Sequence, residues 1–155
     1  MVNSAPLLEV FDEVFRPLGF RKKSGSWYRT SGDIYCLVGV QKSSWDESCY
    51  VNVGFAPTGT TKDGWLPENK CLVRFRVDAI TSISREALEL LSEGRREGVR
   101  PNELRSSLME KIAVPVALLV DPIRSLGDLQ SLLQSRVSGQ VFIHREIREA
   151  VLDGE

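Results

Sequence analysis

Arg74 and Arg76 are the residues best suited to recognition chemistry, because they stand two positions apart in the alternating segment 71–77. Side chains at positions i and i+2 of a strand point to the same face of a sheet. Both guanidinium groups would then be presented together, and each is a planar fork of donors that matches a carboxylate or a phosphate. The spacing predicts a surface that binds anionic groups.

Polar and aromatic residues alternate in the same way along the neighbouring segments, so we expect them to share a face with the two arginines. The candidate binding face consists of Trp27, Arg29, Tyr35, Leu37, Gln41, Tyr50, Asn52, Arg74 and Arg76. Aromatic rings supply rigid contact area and arginine supplies charged donors, a composition typical of binding hot spots. The alternative interpretation is the ordinary solvated face of an antiparallel sheet.

Residues for catalysis or metal binding are few. His144 is the only histidine, so a nucleophile such as Ser43 or Cys49 would have to use it as base. The three cysteines, Cys36, Cys49 and Cys71, are predicted on the apolar face, where a thiol is inert. They also lack the short ligand spacing of a zinc site, and no glycine-rich phosphate loop occurs. We therefore predict no catalytic residue, metal or cofactor, and favour a protein that is not an enzyme.

A short basic cluster suggests a further use, the binding of single-stranded nucleic acid through phosphates and stacked bases. Its cations, which bracket Trp27 and Tyr28, are Arg16, Arg21, Lys22, Lys23 and Arg29. The whole chain is slightly acidic, with a net charge of -1, which weighs against a nucleic-acid protein. Nucleic-acid binding is therefore the weakest alternative, and a solvated turn with Trp27 packed beneath it explains the cluster as well.

The elements that would position these residues follow from the hydrophobic pattern. Apolar residues recur at helical spacing from Leu7 to Leu18, after a capping pair of Ser4 and Pro6. The period then changes to two over three segments, and a shorter strand is predicted around Trp27. The strand segments are 27–29, 34–41, 49–55 and 71–77. Their short polar connections favour antiparallel pairing, and the loop at 57–70 is the longest.

The second half of the chain is predicted to be helical. Stripes of apolar residues mark helices at 83–91, 104–112, 126–133 and 143–151. Pro115 should end or kink the second helix, and Asp121 with Pro122 should cap the third. We predict a single α+β domain over residues 1–155, with a small antiparallel sheet of about four strands packed against an N-terminal helix and several C-terminal helices. Residues 5–80 would hold the first helix and the sheet, and 81–155 the helical half.

Composition bounds the class of protein. The chain has 155 residues, of which 42% are hydrophobic and 26% charged, an ordinary globular mixture that excludes an intrinsically disordered protein. Its longest apolar run, 112–120, has nine residues, whereas a membrane span needs about 20. The first residues lack the pattern of a secretory signal, and the cysteine count is odd. These features predict a cytoplasmic protein with free thiols and no membrane span.

Several motifs, taken in order, resemble the bacterial domain-of-unknown-function family DUF4304 over about residues 5 to 80. They are 19–23 (GFRKK), 27–29 (WYR), 41–43 (QKS), 52–54 (NVG) and 71–76 (CLVRFR). The chain departs from the family at Leu72, where a histidine is often found, which puts in doubt any role of that histidine here. The resemblance implies a bacterial or phage-like source, and it supplies no activity and no catalytic residues.

Two functional hypotheses of different class remain. The leading one is a non-enzymatic binding protein, with an immunity-like or adaptor role, that holds a protein partner on the polar sheet face. It predicts that changing Trp27, Arg74 and Arg76 together abolishes binding and leaves the fold intact. The alternative is a small-molecule or nucleotide-binding domain, or an enzyme, with an anionic ligand on both arginines beside Tyr35 and Tyr50. The oligomeric state is not predicted.

Overall fold

The computed structural model describes residues 5–42, 49–80, 100–136 and 141–145. The predicted helix at 83–91, the tail positions 147–151, and Ser4 and Ser43 lie outside the described residues.

The strands form one antiparallel sheet of six, which lie side by side in the order of the chain. They are β1 (Arg21–Lys23), β2 (Ser26–Ser31), β3 (Ile34–Lys42), β4 (Cys49–Pro57), β5 (Val73–Arg76) and β6 (Phe142–Ile143). The predicted α+β class is confirmed, but the predicted count of about four strands is too low. The two edge strands have three and two residues, too few to show an alternating pattern. Ile143 therefore lies in a strand, and its assignment to a tail helix was wrong.

Among the described residues, one helix precedes the sheet in the chain and the other helices lie between β5 and β6. They are α1 (Ala5–Phe15), the short α2 (Val77–Ile80), α3 (Pro101–Leu108), α4 (Val114–Val120) and α5 (Leu126–Arg136). The first helix continues as a 3-10 turn to Leu18 and ends at Gly19, whose φ of 93° is left-handed and suits glycine. Among the described residues, no helix is long and apolar enough to span a membrane.

Pro115 was expected to end or kink its helix, and the first of these two outcomes does not occur. Between α3 and α4 the chain makes a π-helical turn over Met109–Ala113, in which the backbone N–H of Val114 donates to the carbonyl of Met109. This wider turn changes the hydrogen-bond pattern just ahead of Pro115, whose nitrogen has no hydrogen to donate. The chain therefore stays helical from 101 to 120.

Asp121 does not cap the following helix, so that prediction was wrong. That helix begins at Leu126, and the hydroxyl of Ser125 accepts a hydrogen bond from the backbone N–H of Asp128 over 3.0 Å. The serine thus performs the capping role. Asp121 instead binds Arg29 in β2, at 2.8 Å between carboxylate and guanidinium.

The inner face of the sheet packs against the helices and contains the main core. Trp27 is fully buried there, with its ring centroid 5.5 Å from that of Phe11 and 6.5 Å from that of Phe15. Its indole N–H donates to Asp12 over 3.0 Å. Arg29 follows two residues later on the same face and is only 6% exposed. The placement of Trp27 and Arg29 on the polar face was therefore wrong.

The outer face of the sheet is half covered. We call residues 58–72, between β4 and β5, the cover segment. Its Trp65 and Leu66 pack on a second, smaller cluster of buried residues, which comprises Tyr35, Leu37, Ala56 and Cys71. The loop predicted at 57–70 is thus a packed layer that leaves the far end of the outer face open.

Cys71 belongs to this second cluster, and its predicted position on the helix-packed face was wrong. It comes before β5 begins, so the strand alternation does not govern it. The sulfur occupies space left by Gly54, since a Cβ placed on that glycine would lie 2.7 Å from Cys71 Sγ. Cys36 and Cys49 lie in the main core as expected.

Candidate functional site

The open end of the outer face is a shallow groove of about 250 Å³, which we call the arginine groove. Its lining residues are Gln41, Asn52, Glu68, Arg74, Phe75, Arg76 and Phe142, and Tyr50 lies beside them in the sheet. Strand register brings them together, because Asn52 is paired with Arg76, and Arg74 with Phe142. Five of the predicted face residues, Gln41, Tyr50, Asn52, Arg74 and Arg76, meet here.

Each arginine of the groove lies over an aromatic ring. The guanidinium carbon of Arg76 is 4.0 Å from the ring centroid of Tyr50, and that of Arg74 is 4.2 Å from the ring centroid of Phe142. Such cation–π contacts occupy the flat face of a guanidinium and hold the group in place. The N–H groups around its edge remain suited to a carboxylate or a phosphate.

The hydrogen-bonding capacity of these arginines is largely unused within the described part of the chain. Arg74 Nη1 donates to the carbonyl of Asn69 over 3.3 Å, and its Nε is buried without a hydrogen-bond partner. None of the ion pairs among the described residues includes Arg74 or Arg76. Among the described residues, Glu68 is the one acidic residue that lines the groove. The groove therefore offers two positioned cations to an incoming anion.

An amide pair lies beside the arginines. Asn52 Nδ2 donates a hydrogen bond to Gln41 Oε1 over 2.6 Å. A side-chain amide has both donor and acceptor groups, so Gln41 keeps its NH₂ and Asn52 its carbonyl oxygen for another partner. This pair can accept and donate as a peptide group does.

Phe142, like Glu68 and Phe75, lines the groove but was not among the predicted face residues. It is 44% exposed, and its ring lies beside the guanidinium of Arg74. The pattern around it suggested a helix, and its register opposite Arg74 arises from a pairing between distant parts of the chain. The only local indication of a short strand is the adjacent pair Phe142–Ile143, since aromatic and β-branched residues favour strands.

Tyr35, which was expected in the site, lies under the cover segment. Its side chain is fully buried, and the hydroxyl donates to the carbonyl of Leu66 over 2.7 Å. The same oxygen accepts from the backbone N–H of Leu66 over 3.1 Å. Burial raises the pKa of Tyr35 well above its usual range. Tyr35 therefore anchors the cover segment and does not reach the arginine groove.

Arg29 lies on the inner face of the sheet, where its guanidinium binds neighbouring residues of the fold. Its guanidinium donates to the Asp121 carboxylate over 2.8 Å and to the carbonyl of Leu18 over 3.1 Å. The ring centroid of Phe20 is 4.5 Å from its guanidinium carbon. The hydrogen bond from Arg29 is the main cause that lowers the pKa of Asp121. Arg29 thus joins the sheet to the turn after α4.

The basic cluster does not offer two free rings to nucleic acid. Trp27 is fully buried, and the ring of Tyr28 packs edge-on against Trp65 at 5.0 Å between centroids. Arg16 is paired with Asp12 at 2.7 Å, and Lys23 lies 4.5 Å from the ring centroid of Trp65. The stacking arrangement that the nucleic-acid alternative requires is absent from this part of the described structure.

A second cleft of about 290 Å³ opens near β1. Its lining residues include Arg21, Tyr28, Arg29 and Asp63. The Arg29 guanidinium is already bound to Asp121, so Arg21 is the one lining cation of this cleft, within the described residues, that is not committed in this way. This cleft is therefore less suited to an anion than the arginine groove.

The cysteines and His144 do not form a reactive arrangement in the described residues. Cys36, Cys49 and Cys71 are buried, and none of them forms a disulfide within the described residues; burial raises the pKa of Cys71 to about 12. A thiol with so high a pKa is protonated at neutral pH and a poor nucleophile. The described residues contain no cluster of three or more His, Cys, Asp or Glu side chains placed to hold a metal ion.

Comparison with known protein families identifies a match over most of the described sheet. The model of a family described as "Domain of unknown function (DUF4304)" matches residues 11–113. This match confirms the resemblance seen in the motifs and extends it beyond the sheet to α3 and the π-helical turn. No curated protein and no solved structure matches the chain.

Proposed function

The chain belongs to the DUF4304 family, and we propose that this member is a non-enzymatic binding protein that holds a protein partner in the arginine groove. The observation that carries the proposal is the pair of stacked arginines. Arg74 and Arg76 are held on aromatic rings at 4.2 and 4.0 Å, and none of the described carboxylates is paired with them. Arginine positioned in this way, beside an exposed aromatic ring, is typical of binding hot spots.

The shape of the groove favours a protein over a small molecule. Small-molecule pockets enclose most of the ligand within roughly 300–1,000 Å³, whereas this groove is shallow and holds about 250 Å³. The small-ligand alternative places Tyr35 beside the bound ligand, but Tyr35 is buried under the cover segment. A nucleotide would therefore remain mostly in solvent.

A small anion remains the second candidate, because the same arginines could hold a phosphate or a metabolite carboxylate. Such a ligand would raise the melting temperature of the purified protein by mass action. A thermal-shift screen of anionic metabolites and nucleotides tests this candidate. A ligand that stabilises wild type and fails to stabilise Arg74→Gln/Arg76→Gln would favour it over a protein partner.

Within the proposal, the protein has an immunity-like or adaptor role in a bacterial cytoplasm. The bacterial source rests on the resemblance of the sequence motifs, and the cytoplasmic location rests on the odd cysteine count. Cell fractionation with an antibody against the chain checks the location.

The experiment for the main proposal is affinity capture from the source cells with three forms of the protein. Wild type is compared with Arg74→Gln/Arg76→Gln and with the control Arg21→Gln/Lys22→Gln, which removes two charges from the exposed β1 at the other edge of the sheet. We expect one protein to be retained by wild type and the control and lost by the groove variant. Circular dichroism verifies that all three are folded.

A partner retained equally by all three forms would place the binding surface elsewhere. Since a hydrogen bond to a charged group contributes about 1.5–3 kcal/mol, loss of two such contacts should weaken binding at least about a hundredfold. A smaller loss would mean that the arginines lie at the rim of the interface.

A further inference from the structure

We infer that the segment of the partner bound in the arginine groove is an extended acidic stretch whose two anchoring carboxylates are four residues apart. This inference rests on the proposed function and names the chemistry of its ligand. It follows from the direction in which each arginine leans, which the sequence spacing alone does not reveal.

The two guanidinium groups lean to opposite sides of β5. Arg74 lies over Phe142 of β6, on one side, whereas Arg76 lies over Tyr50 of β4, on the other. Arg76 also leans away along the strand, because its direct partner in the register is Asn52 and Tyr50 stands two positions further on. The two positive charges therefore diverge.

Divergence sets a minimum distance between the anions that bind them. The α-carbons of residues i and i+2 in a strand are about 7 Å apart. The guanidinium groups, which point away from each other along and across the sheet, are further apart than that. A single phosphate or carboxylate between them would have to draw both arginines off their rings, at the loss of two cation–π contacts.

An extended peptide supplies carboxylates at the required distance. Alternate side chains of an extended chain share a face, so residues i and i+4 present their side chains on one side at a separation of about 13 Å. Side chains of residues i and i+1 point to opposite sides of an extended chain. Residues i and i+2 share a side but are only about 7 Å apart, less than the separation of the two guanidinium groups. Two acidic residues with three residues between them therefore fit the diverging arginines best.

The remaining lining of the groove suits the stretch between the two carboxylates. Asn52 and Gln41, hydrogen-bonded to each other at 2.6 Å, keep one acceptor and one donor group that a peptide backbone can use. Phe142, at 44% exposure, offers an apolar surface beside Arg74. The expected ligand is thus acidic at two positions, extended between them, and apolar next to the carboxylate on Arg74.

The test uses fluorescently labelled threonine-rich peptides of one composition, each with two glutamates, placed at i,i+1, i,i+2 or i,i+4. Binding to the full chain is followed by fluorescence anisotropy at low salt. We expect the i,i+4 peptide to bind at least about tenfold more tightly than the i,i+1 isomer, because only it reaches both charges. A peptide with one phosphoserine and no glutamate serves as the single-anion probe.

Variants assign the effect to the two arginines. Arg74→Gln or Arg76→Gln should reduce the affinity for the i,i+4 peptide to that for a one-glutamate peptide, while Arg21→Gln on β1 should leave it unchanged. Arg74→Lys keeps the charge and removes the planar fork, so it should restore only part of the binding.

Three results would overturn the inference: equal affinity for all spacing isomers, no binding of any of them, or equal binding of the phosphoserine peptide. In each case the proposed function is judged separately, by the captured partner. If the partner still requires Arg74 and Arg76, the function stands and only the extended acidic ligand is wrong. If the partner is indifferent to both arginines, the function and the inference fail together.

Discussion

Three arginines of the sheet differ in role because they lie on different faces. The position of a residue in its strand determines which face its side chain is on. Arg74 and Arg76 occupy outer positions of β5, as their alternation with Val73 and Phe75 predicts. Arg29 lies between positions 28 and 30 in a strand whose two faces both carry polar and aromatic residues, so alternation there is ambiguous. The inner position of Arg29 is explained by its hydrogen bond to Asp121, which lies 92 positions later in the chain.

The pair of Arg29 and Asp121 should contribute measurably to stability. Asp121→Ala would leave the buried guanidinium of Arg29, 5% exposed, without its counter-charge. We expect a loss of about 2–3 kcal/mol in the free energy of unfolding, near the lower end for buried pairs because the Asp121 side chain is 34% exposed. Urea denaturation measures it, and Arg124→Ala, which removes the exposed partner of Asp121, should cost under about 1 kcal/mol. Equal effects of the two substitutions would contradict this account.

The lowered pKa of the Asp121 carboxylate should make the stability of the protein depend on pH. Hydrogen bonding from Arg29 lowers the pKa of Asp121 below its ordinary value of 3.8, and bonds from Arg16 and Trp27 lower that of Asp12. A lowered pKa in the folded state gives stability that is present above the unfolded value and lost as pH falls through the folded one. The free energy of unfolding should therefore decrease below about pH 4. Asp121→Asn should flatten this decrease, and an unchanged slope would show that Asp121 is not a source of it.

At the scale of elements, the cover segment determines which part of the outer face is available. Strands β3, β4 and β5 follow closely the alternation in the sequence, since long runs with period two specify a strand and its two faces. The cover segment shows no such period, and nothing local predicts that Trp65 and Leu66 pack on Tyr35. Candidate residues on one predicted face are thus divided between a covered half and an open half.

The Tyr35 hydroxyl should hold the cover segment in place. Tyr35→Phe would leave both the N–H and the carbonyl of Leu66 without their partner, at an expected cost of about 1–3 kcal/mol. Hydrogen exchange at the Leu66 amide should accelerate, while partner binding in the arginine groove stays unchanged. Tyr28→Phe, in a half-buried ring of the same cluster, is the matched control. Unchanged exchange at Leu66 would mean that apolar packing alone fixes the segment.

Gly54 and Cys71 should be coupled, because the sulfur fills the place of a glycine side chain. Gly54→Ala puts a Cβ 2.7 Å from Cys71 Sγ and 2.9 Å from its Cβ, so we expect a loss of about 1–3 kcal/mol from overpacking. Cys71→Ala in the same chain removes the sulfur and should recover part of that loss. A double-mutant cycle by urea denaturation measures the coupling. Strictly additive effects would show that the two residues do not compete for space.

For the whole molecule, the sequence predicts the α+β class and most of the residues that meet in the groove. It predicts the edge strands and the π-helical turn less well. Gln41, Asn52, Arg74 and Arg76 come together because each lies at an outward position of a strand whose sequence alternates with period two. The edge strands and the π-helical turn depend on pairings and hydrogen bonds that short local patterns do not encode. Phe142, which also lines the groove, belongs to the two-residue last strand of the sheet, for which the sequence carries only a weak signal.

The most direct test of the account is isothermal titration of the purified partner into wild type, Arg74→Gln/Arg76→Gln and Arg21→Gln/Lys22→Gln. The account predicts that the groove variant loses at least about a hundredfold in affinity while the control on β1 stays within about twofold of wild type. It also predicts that added salt weakens wild type and leaves the groove variant almost unaffected. Equal affinity of all three forms would contradict the claim that the arginine groove is the binding site.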